Sequence, residues 1–374
     1  MPLFKEKIKK TFAEVDILID GAREWDIQVH NERLYRRIIT RGSIGLGEAY
    51  MDGWWDCQKL DEFFYRILRA RLHRENKAIG HDFLRLLANI FNRQTLRRSL
   101  EVGERHYDIG NDLYKAMLDK RMVYSCGYWN SPAGEAKNLD EAQENKLDLI
   151  CRKLKLKAGQ KVLDIGCGWG SFAKFAAEKY GVEVTGVTIS KEQVALGREL
   201  TKGLPVDIKF LDYRKIEGMF DRIVSIGMFE HVGQKNYRTF MKIAERHLKE
   251  DGMFLLHTIG SNYPIADSDP WVEKYIFPNG VIPNVEHIGK AVGDIFIIED
   301  WHNFGADYDK TLMAWHHNFE KNWGGLQNRY SERFRRMWNY YLLSCAGSFR
   351  ARDVQLWQIV LSKGGLSVGY ESVR

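Results

Sequence analysis

Between residues 60 and 76 the apolar positions recur with a helical period. Leu60, Phe63, Phe64, Ile67 and Leu68 fall at i, i+3, i+4, i+7 and i+8, which predicts an amphipathic helix. A second apolar set, Phe83, Leu84, Leu86, Leu87, Ile90 and Phe91, predicts another. Upstream, WDIQVH (25–30) alternates like a short strand, and RGSIGLGEAYMDGWWD (41–56) reads as a glycine-punctuated turn region. From His106 the pattern changes. Helical stretches at 110–119 and 140–156 lead into apolar runs that alternate with helical segments. The runs are KVLDIG (161–166), VEVTGV (182–187), DIKFLD (207–212), FDRIVSIG (220–227) and GMFLLHTI (252–259). IFIIED (295–300) and LSVGYES (366–372) supply the last two expected strands. Such alternation implies an α/β fold, a mostly parallel sheet with helices on both faces. The expected organisation is a smaller, mainly helical domain at 1–92, a basic linker at 93–105 and an α/β domain at 106–374.

A chain of 374 residues, 44% of them hydrophobic, suffices for two packed domains. Its formal charge of +6 is concentrated. Residues 66–105 hold ten Lys/Arg against four acids, a net of +6 that equals the whole chain's imbalance. The segment calls for an anionic partner, either lipid headgroups or nucleic acid. The five cysteines are odd in number and form no CxxC, so neither a disulfide framework nor a zinc site is expected, and a reducing cytoplasm fits. MPLFKEKIKK has no signal-peptide pattern, and no run reaches the ~20 apolar residues of a membrane span. Contact with a membrane is therefore expected from its surface.

VLDIGCGWGSF (162–172) places Gly166, Gly168 and Gly170 at a strand-to-helix turn, where small residues let backbone approach a ligand. A dinucleotide fingerprint would want glycine at Ser171 and an acid after the second strand, which ends instead in GVTIS. No Walker lysine follows. The loop resembles that of a class I S-adenosylmethionine methyltransferase, Rossmann-like in fold. That resemblance assigns Asp164 to the loop and the methionine amino end, and the backbone of Gly166, Cys167, Gly168, Trp169 and Gly170 to the cofactor. Asp212 and Tyr213, closing the third strand, stand where adenine is held, although an exposed aspartate is also the default for that residue type. GMFEHVG after the fourth strand is neither an Asn/Asp-Pro-Pro-Tyr nor a Pro-Cys motif, which argues against a nucleic-acid substrate.

Eight stretches in order carry a closer resemblance: HYDIGNDLY (106–114), YSCGYW (124–129), VLDIGCGWGSF, GVTISKEQ (186–193), FDRIVSIGMFEHVG (220–233), LLHTIGS (255–261), WVEKYIFPNG (271–280) and EDWHNFGADYDKTLMAWHHNF (299–319). Together they resemble the cyclopropane-fatty-acyl-phospholipid synthases and the related mycolic acid methyltransferases, over essentially the whole chain. The resemblance implies methyl transfer from S-adenosylmethionine to the cis double bond of a phospholipid acyl chain, followed by ring closure. It implies no nucleic-acid partner, a homodimer, and a cytoplasmic enzyme peripherally bound to the bilayer. It adds Thr188, Ser190 and Gln193 near the ribose, and Tyr124 and Ser125 along the cofactor.

Methylating an alkene leaves a carbocation, which aromatic faces stabilise by roughly 0.5–2 kcal/mol each. Tyr124, Tyr128, Trp129, Phe229, Trp271, Tyr275, Phe277 and Tyr308 are the candidates. The base implied by the resemblance is a bound bicarbonate ion, caged by Cys126, Glu230, His257, the backbone of Ile259, and Tyr308, with Glu230 also fixing His257. Each of these side chains has a plainer alternative: a helix-start acid, a core histidine, a core tyrosine, a buried thiol. Cys345, in YYLLSCAGSFRARD, is a further candidate that alkene methylation does not require. A same-fold methyltransferase acting on another lipid or on a small amine or hydroxyl is the alternative reading.

Overall fold

The computed structural model describes residues 2–70, 109–132, 134–263 and 269–374. The expected linker at 93–105, the second helical set at 83–91 and nearly all of the basic segment lie outside these residues. The described residues fall into two compact units. One holds those within Met1–Phe91, Ser268–Pro278 and Tyr308–Val354. The other holds those within Asn92–Asp267, Asn279–Asp307 and Gln355–Arg374. This grouping differs from the expected 1–92 and 106–374, because two later segments pack with the amino-terminal helices.

The second unit is built on a seven-stranded sheet. Its strands are β5 (Lys161–Ile165), β6 (Glu183–Thr188), β7 (Val206–Phe210), β8 (Phe220–Ile226), β9 (Leu248–Gly260), β10 (Ile297–Asn303) and β11 (Gln355–Ser362), in the order β10-β11-β9-β8-β5-β6-β7. The five from β7 to β9 run parallel, β11 is antiparallel to them, and β10, antiparallel to β11, runs in their direction again. Side chains alternate between two layers, as a pleat requires. Leu163, Ile165, Ile223, Phe254 and Leu256 meet Phe240, Met241 and Ile288 on one face. Val162, Val224, Met253, Leu255 and Val360 meet Leu147, Ile150 and Phe172 on the other. From β5 the chain winds outward to β6 and β7, then returns to β8 and β9 on the opposite side. A crevice opens at the carboxyl ends where the winding reverses.

The last strand corrects the sequence reading. LSVGYES forms no strand; QLWQIVLS does, buried at every position. A strand covered on both faces loses its alternation, and Gly364, Gly365 and Gly369, all at positive φ, break the segment after it.

In the first unit, α1 (Pro2–Ala13), α2 (Arg33–Met51) and α3 (Leu60–Arg69) join β1 (Ile27–Val29) and β2 (Trp55–Cys57); the short pair β3 (Asn130–Ser131) and β4 (Gly134–Glu135) belongs to the second unit. Helix α2 runs through the glycines expected to form a turn, with a kink at Gly42 (φ 55°). The stripe on α3 faces the core of this unit: Phe63 lies 5.6 Å from Phe12, and Phe64 lies 5.1 Å from Tyr340. Tyr340 stands on the helix Glu332–Arg350, which approaches α3 so closely that a Cβ on Gly347 would lie 2.6 Å from the Asp61 carbonyl oxygen.

Candidate active site

The crevice is a cleft of about 1250 Å³, its open mouth included, within the second unit. Its floor is the turn after β5. Gly166, Gly168 and Gly170 have φ of 82°, 56° and 79°, the left-handed region that glycine enters without strain. The amides of Gly166 and Cys167 donate to the Val187 carbonyl at 2.9 and 3.1 Å, pinning the turn to the end of β6. A Cβ on Gly168 would meet no described protein atom within 4 Å; it would enter the cleft. Gly170 caps the helix Ser171–Tyr180 and does not line the cleft. The Cys167 side chain belongs to the core, and burial pushes its thiol pKa up.

Asp164 is buried, and its Oδ1 has no hydrogen-bond partner. Burial raises its pKa, while the cation of Lys146 opposes the shift. Lys146, on the helix Leu139–Lys153, is itself fully buried and donates to Ser125 Oγ at 2.9 Å. Gln143, one turn earlier, donates to the Ser125 carbonyl at 2.8 Å. These two side chains hold the Tyr124–Ser125 wall, and Tyr124 packs edge-on against Tyr114. Trp169 donates its indole N–H to Asn111 at 3.0 Å.

On the far wall, Thr188 donates to Gln193 Oε1 at 2.6 Å, and both line the cleft. Ser190 stands behind them as the cap of the helix Lys191–Leu200, accepting from the Gln193 amide. Asp212 lines the cleft while Arg214 grips both its oxygens at 2.7 and 2.6 Å. The neighbouring Tyr213 ring packs 5.3 Å from Phe240, and burial pushes its hydroxyl up to about 12. An unpartnered carboxylate oxygen, a glycine opening into free space, and hydroxyl and amide groups on the opposite wall together fit S-adenosylmethionine.

Of the five residues expected to cage the anion, Cys126, Glu230, His257 and Ile259 belong to this unit, and none of them lines the cleft. Glu230 follows β8 in the turn Phe229–His231, and its Oε1 accepts from the Ile259 amide at 2.6 Å. Its Oε2 is buried without a partner, and burial raises the carboxyl to about 7. His257 is buried on β9, its Nε2 also without a partner. Gln358, not Glu230, holds this ring, with its amide nitrogen 3.3 Å from Nδ1. Burial and the cations of Lys146 and Lys153 depress the imidazole pKa well below its usual value. Cys126 is fully buried, its Sγ 3.1 Å from the Gly127 carbonyl oxygen.

Tyr308 and Cys345 belong to the other unit. Tyr308 stacks on Phe349 at 4.3 Å. Burial, reinforced by Asp269, pushes the Cys345 thiol up to about 12, away from the thiolate a nucleophile needs. Of the eight candidate aromatics, Tyr124 alone lines the cleft among the described residues. Phe229 stacks on Tyr237 at 4.2 Å in the core.

Sequence reasoning missed Gln143, Lys146 and His231. Their signal was available for the helix: Gln143, Lys146, Ile150 and Lys153 fall at i, i+3, i+7 and i+10, on the face that carries Leu147 and Ile150 into the core.

Residues 94–359 match the family model for mycolic acid cyclopropane synthetase. The chain is 53% identical over 349 residues to the cyclopropane-fatty-acyl-phospholipid synthase of Escherichia coli strain K12, covering 93% of this chain and 90% of the relative. Among solved structures, the cyclopropane synthase MmaA2 from Mycobacterium tuberculosis is 30% identical with a TM-score of 0.66, covering 71% of this chain and 98% of that one. The mycolic acid cyclopropane synthase CmaA1, complexed with SAH and CTAB, is 31% identical with a TM-score of 0.65 and the same coverage. With a sheet of this order, a cleft at its reversal point and relatives of this identity, the chain belongs to the mycolic acid cyclopropane synthetase family and is an S-adenosylmethionine-dependent methyltransferase.

Proposed function

We propose that this enzyme converts the cis double bond of unsaturated phospholipid acyl chains into a cyclopropane ring, with bicarbonate as the base. The observation that supports this most is the pair of orphaned polar atoms, Glu230 Oε2 in the turn after β8 and His257 Nε2 on the neighbouring β9. A buried polar atom without a partner costs about 1–3 kcal/mol. Two of them, one in the turn after β8 and one on β9, fit a small polar ligand such as an oxyanion. S-adenosylmethionine would supply the electrophilic methyl, and bicarbonate would remove the proton from it as the ring closes.

The protein's part is to position and to exclude water. Asp164 and the Gly166–Trp169 backbone hold the cofactor, and Lys146 keeps the Ser125 wall in place. Ile259 N–H orients Glu230, whose near-neutral pKa allows it to share a proton with an oxyanion instead of repelling it. Burial and the nearby lysines depress the pKa of His257 well below its usual value, so its neutral ring is too weak a base to compete for the proton. Tyr308 is assigned to the cage by the family resemblance. The enzyme works as a homodimer at the cytoplasmic bilayer surface, and the basic segment at 66–105 supplies attraction for anionic headgroups. No helix among the described residues is long and apolar enough to cross a membrane.

Lipid analysis of cells expressing the chain tests the reaction. The expected result is acyl chains heavier by one CH2 with one double bond fewer. Acyl chains that gain a methyl branch, or no change beside methylation of an added amine, would overturn it. Turnover measured after carbonate-free preparation should rise with added bicarbonate; a flat response removes bicarbonate from the scheme.

A further inference from the structure

Three strands carry a polar row across the sheet, buried at His257 and Gln358 and half-buried at His302. His257 on β9 is in register with Gln358 on β11, and Gln358 with His302 on β10. Beyond His302, its Nδ1 lies 3.0 Å from Lys153 Nζ, which in turn stands 3.8 Å from Asp300. Gln358 is fully buried at the centre of a strand whose eight residues are all buried. Its Oε1 has no partner, so the residue costs stability where an apolar one would not. Its one described side-chain hydrogen bond is the 3.3 Å contact to His257 Nδ1.

We propose that Gln358 is a positioning residue that sets the tautomer of His257, donating its amide N–H to Nδ1 so that the ring proton resides on Nε2. The inference rests on the reading that His257 faces the anion. A neutral imidazole carries one N–H. With Nδ1 accepting from Gln358, the orphaned Nε2 is a hydrogen-bond donor, the polarity an oxyanion requires. With Nδ1 carrying the proton instead, Nε2 would turn a lone pair on the anion. A glutamate at 358 would impose that second arrangement, because a carboxylate accepts from Nδ1–H. It could also draw a second proton onto the ring, with Lys146, Lys153 and Glu230 the other charges acting around it. A methionine would fill the space and impose neither.

The test uses the full chain with 15N-labelled histidine, and NMR of the His257 ring assigned by comparison with His257→Gln. In the wild type, His257 is expected as the neutral Nε2–H form. In Gln358→Glu it is expected as Nδ1–H or as imidazolium, with turnover down on the order of 10²-fold and S-adenosylmethionine affinity unchanged. Gln358→Met should lose less, and should serve as the folded control if the glutamate variant is unstable. A wild-type ring in the Nδ1–H form, or a tautomer indifferent to Gln358→Glu, overturns the inference whatever the activity. A tautomer that switches while turnover stays the same leaves Gln358's hold on the ring intact, and overturns instead the reading that His257 serves the reaction.

Discussion

Replacing Glu230 with glutamine should cripple the enzyme and stabilise the protein. The carboxyl is buried with one oxygen unpartnered, and burial raises its pKa from the ordinary 4.5 to about 7. In the unfolded chain it ionises near 4.5; in the folded protein it resists until about 7. Between those values the unfolded state has released a proton that the native state still holds, so stability falls as pH rises through this window. Above pH 7 both states are ionised and the native state bears the full penalty. At about 1.4 kcal/mol per pH unit the displacement corresponds to about 3 kcal/mol, an upper bound because relaxation and bound ligand both reduce it. Glutamine keeps an acceptor for Ile259 N–H and removes the charge. Urea unfolding followed between about pH 5 and pH 8 should show Glu230→Gln gaining on the wild type as pH rises, with little difference at the acid end. Turnover should meanwhile fall by roughly 10²–10⁴-fold. A stability difference that is flat with pH would refute the raised carboxyl pKa. A variant that is both active and pH-insensitive would refute the site.

Gly168→Val should abolish S-adenosylmethionine binding in a titration, since the side chain enters the cleft and a β-branched residue at φ 56° is strained; undiminished affinity would sink the cofactor assignment. Cys126→Ser should lower turnover less than Glu230→Gln and be partly rescued by added bicarbonate, read as turnover against bicarbonate concentration. Gly260→Ala should destabilise by about 1–3 kcal/mol or more in urea unfolding, because its Cβ would fall 2.0 Å from the Trp357 ring. Lys146→Met should weaken cofactor affinity while sparing the fold, since it frees the Ser125 wall and leaves Asp164 without its cation; unchanged affinity would assign Lys146 to packing alone.

What the sequence made legible was local. KVLDIGCGWGS reads as strand, glycine turn and helix because each step follows from neighbours in the chain, and the helix Ser171–Tyr180 falls where the pattern put it. The strand Gln355–Ser362 was missed because burial on both faces erases alternation. Helix α2 was missed because packing overrode the glycines at 42, 45 and 47. Gly47 is required there by the Trp271 indole, whose Cδ1 would lie 2.4 Å from a Cβ at that position. Lys146 and Gln358 were invisible for a different reason. A polar residue on a helix or strand announces its type, and only the fold shows that it points inward toward a group from a distant part of the chain. The division into units was likewise out of reach, since it depends on which helices bury one another's aromatic rings.

That last pairing has a temporal side. Phe64 of α3 and Tyr50 of α2 pack against Tyr340 on the helix Glu332–Arg350, and Arg336 donates to the Tyr50 and Trp55 carbonyls across more than 280 residues of chain. During synthesis at about 5–20 residues per second, Trp55, Phe63 and Phe64 emerge roughly 15–60 s before the helix that covers them. Through that interval the nascent amino-terminal segment presents an uncovered aromatic face. The length of that exposure is set by how fast the roughly 280 residues after Phe64 are translated, so a pause anywhere among them lengthens the time in which the face can aggregate.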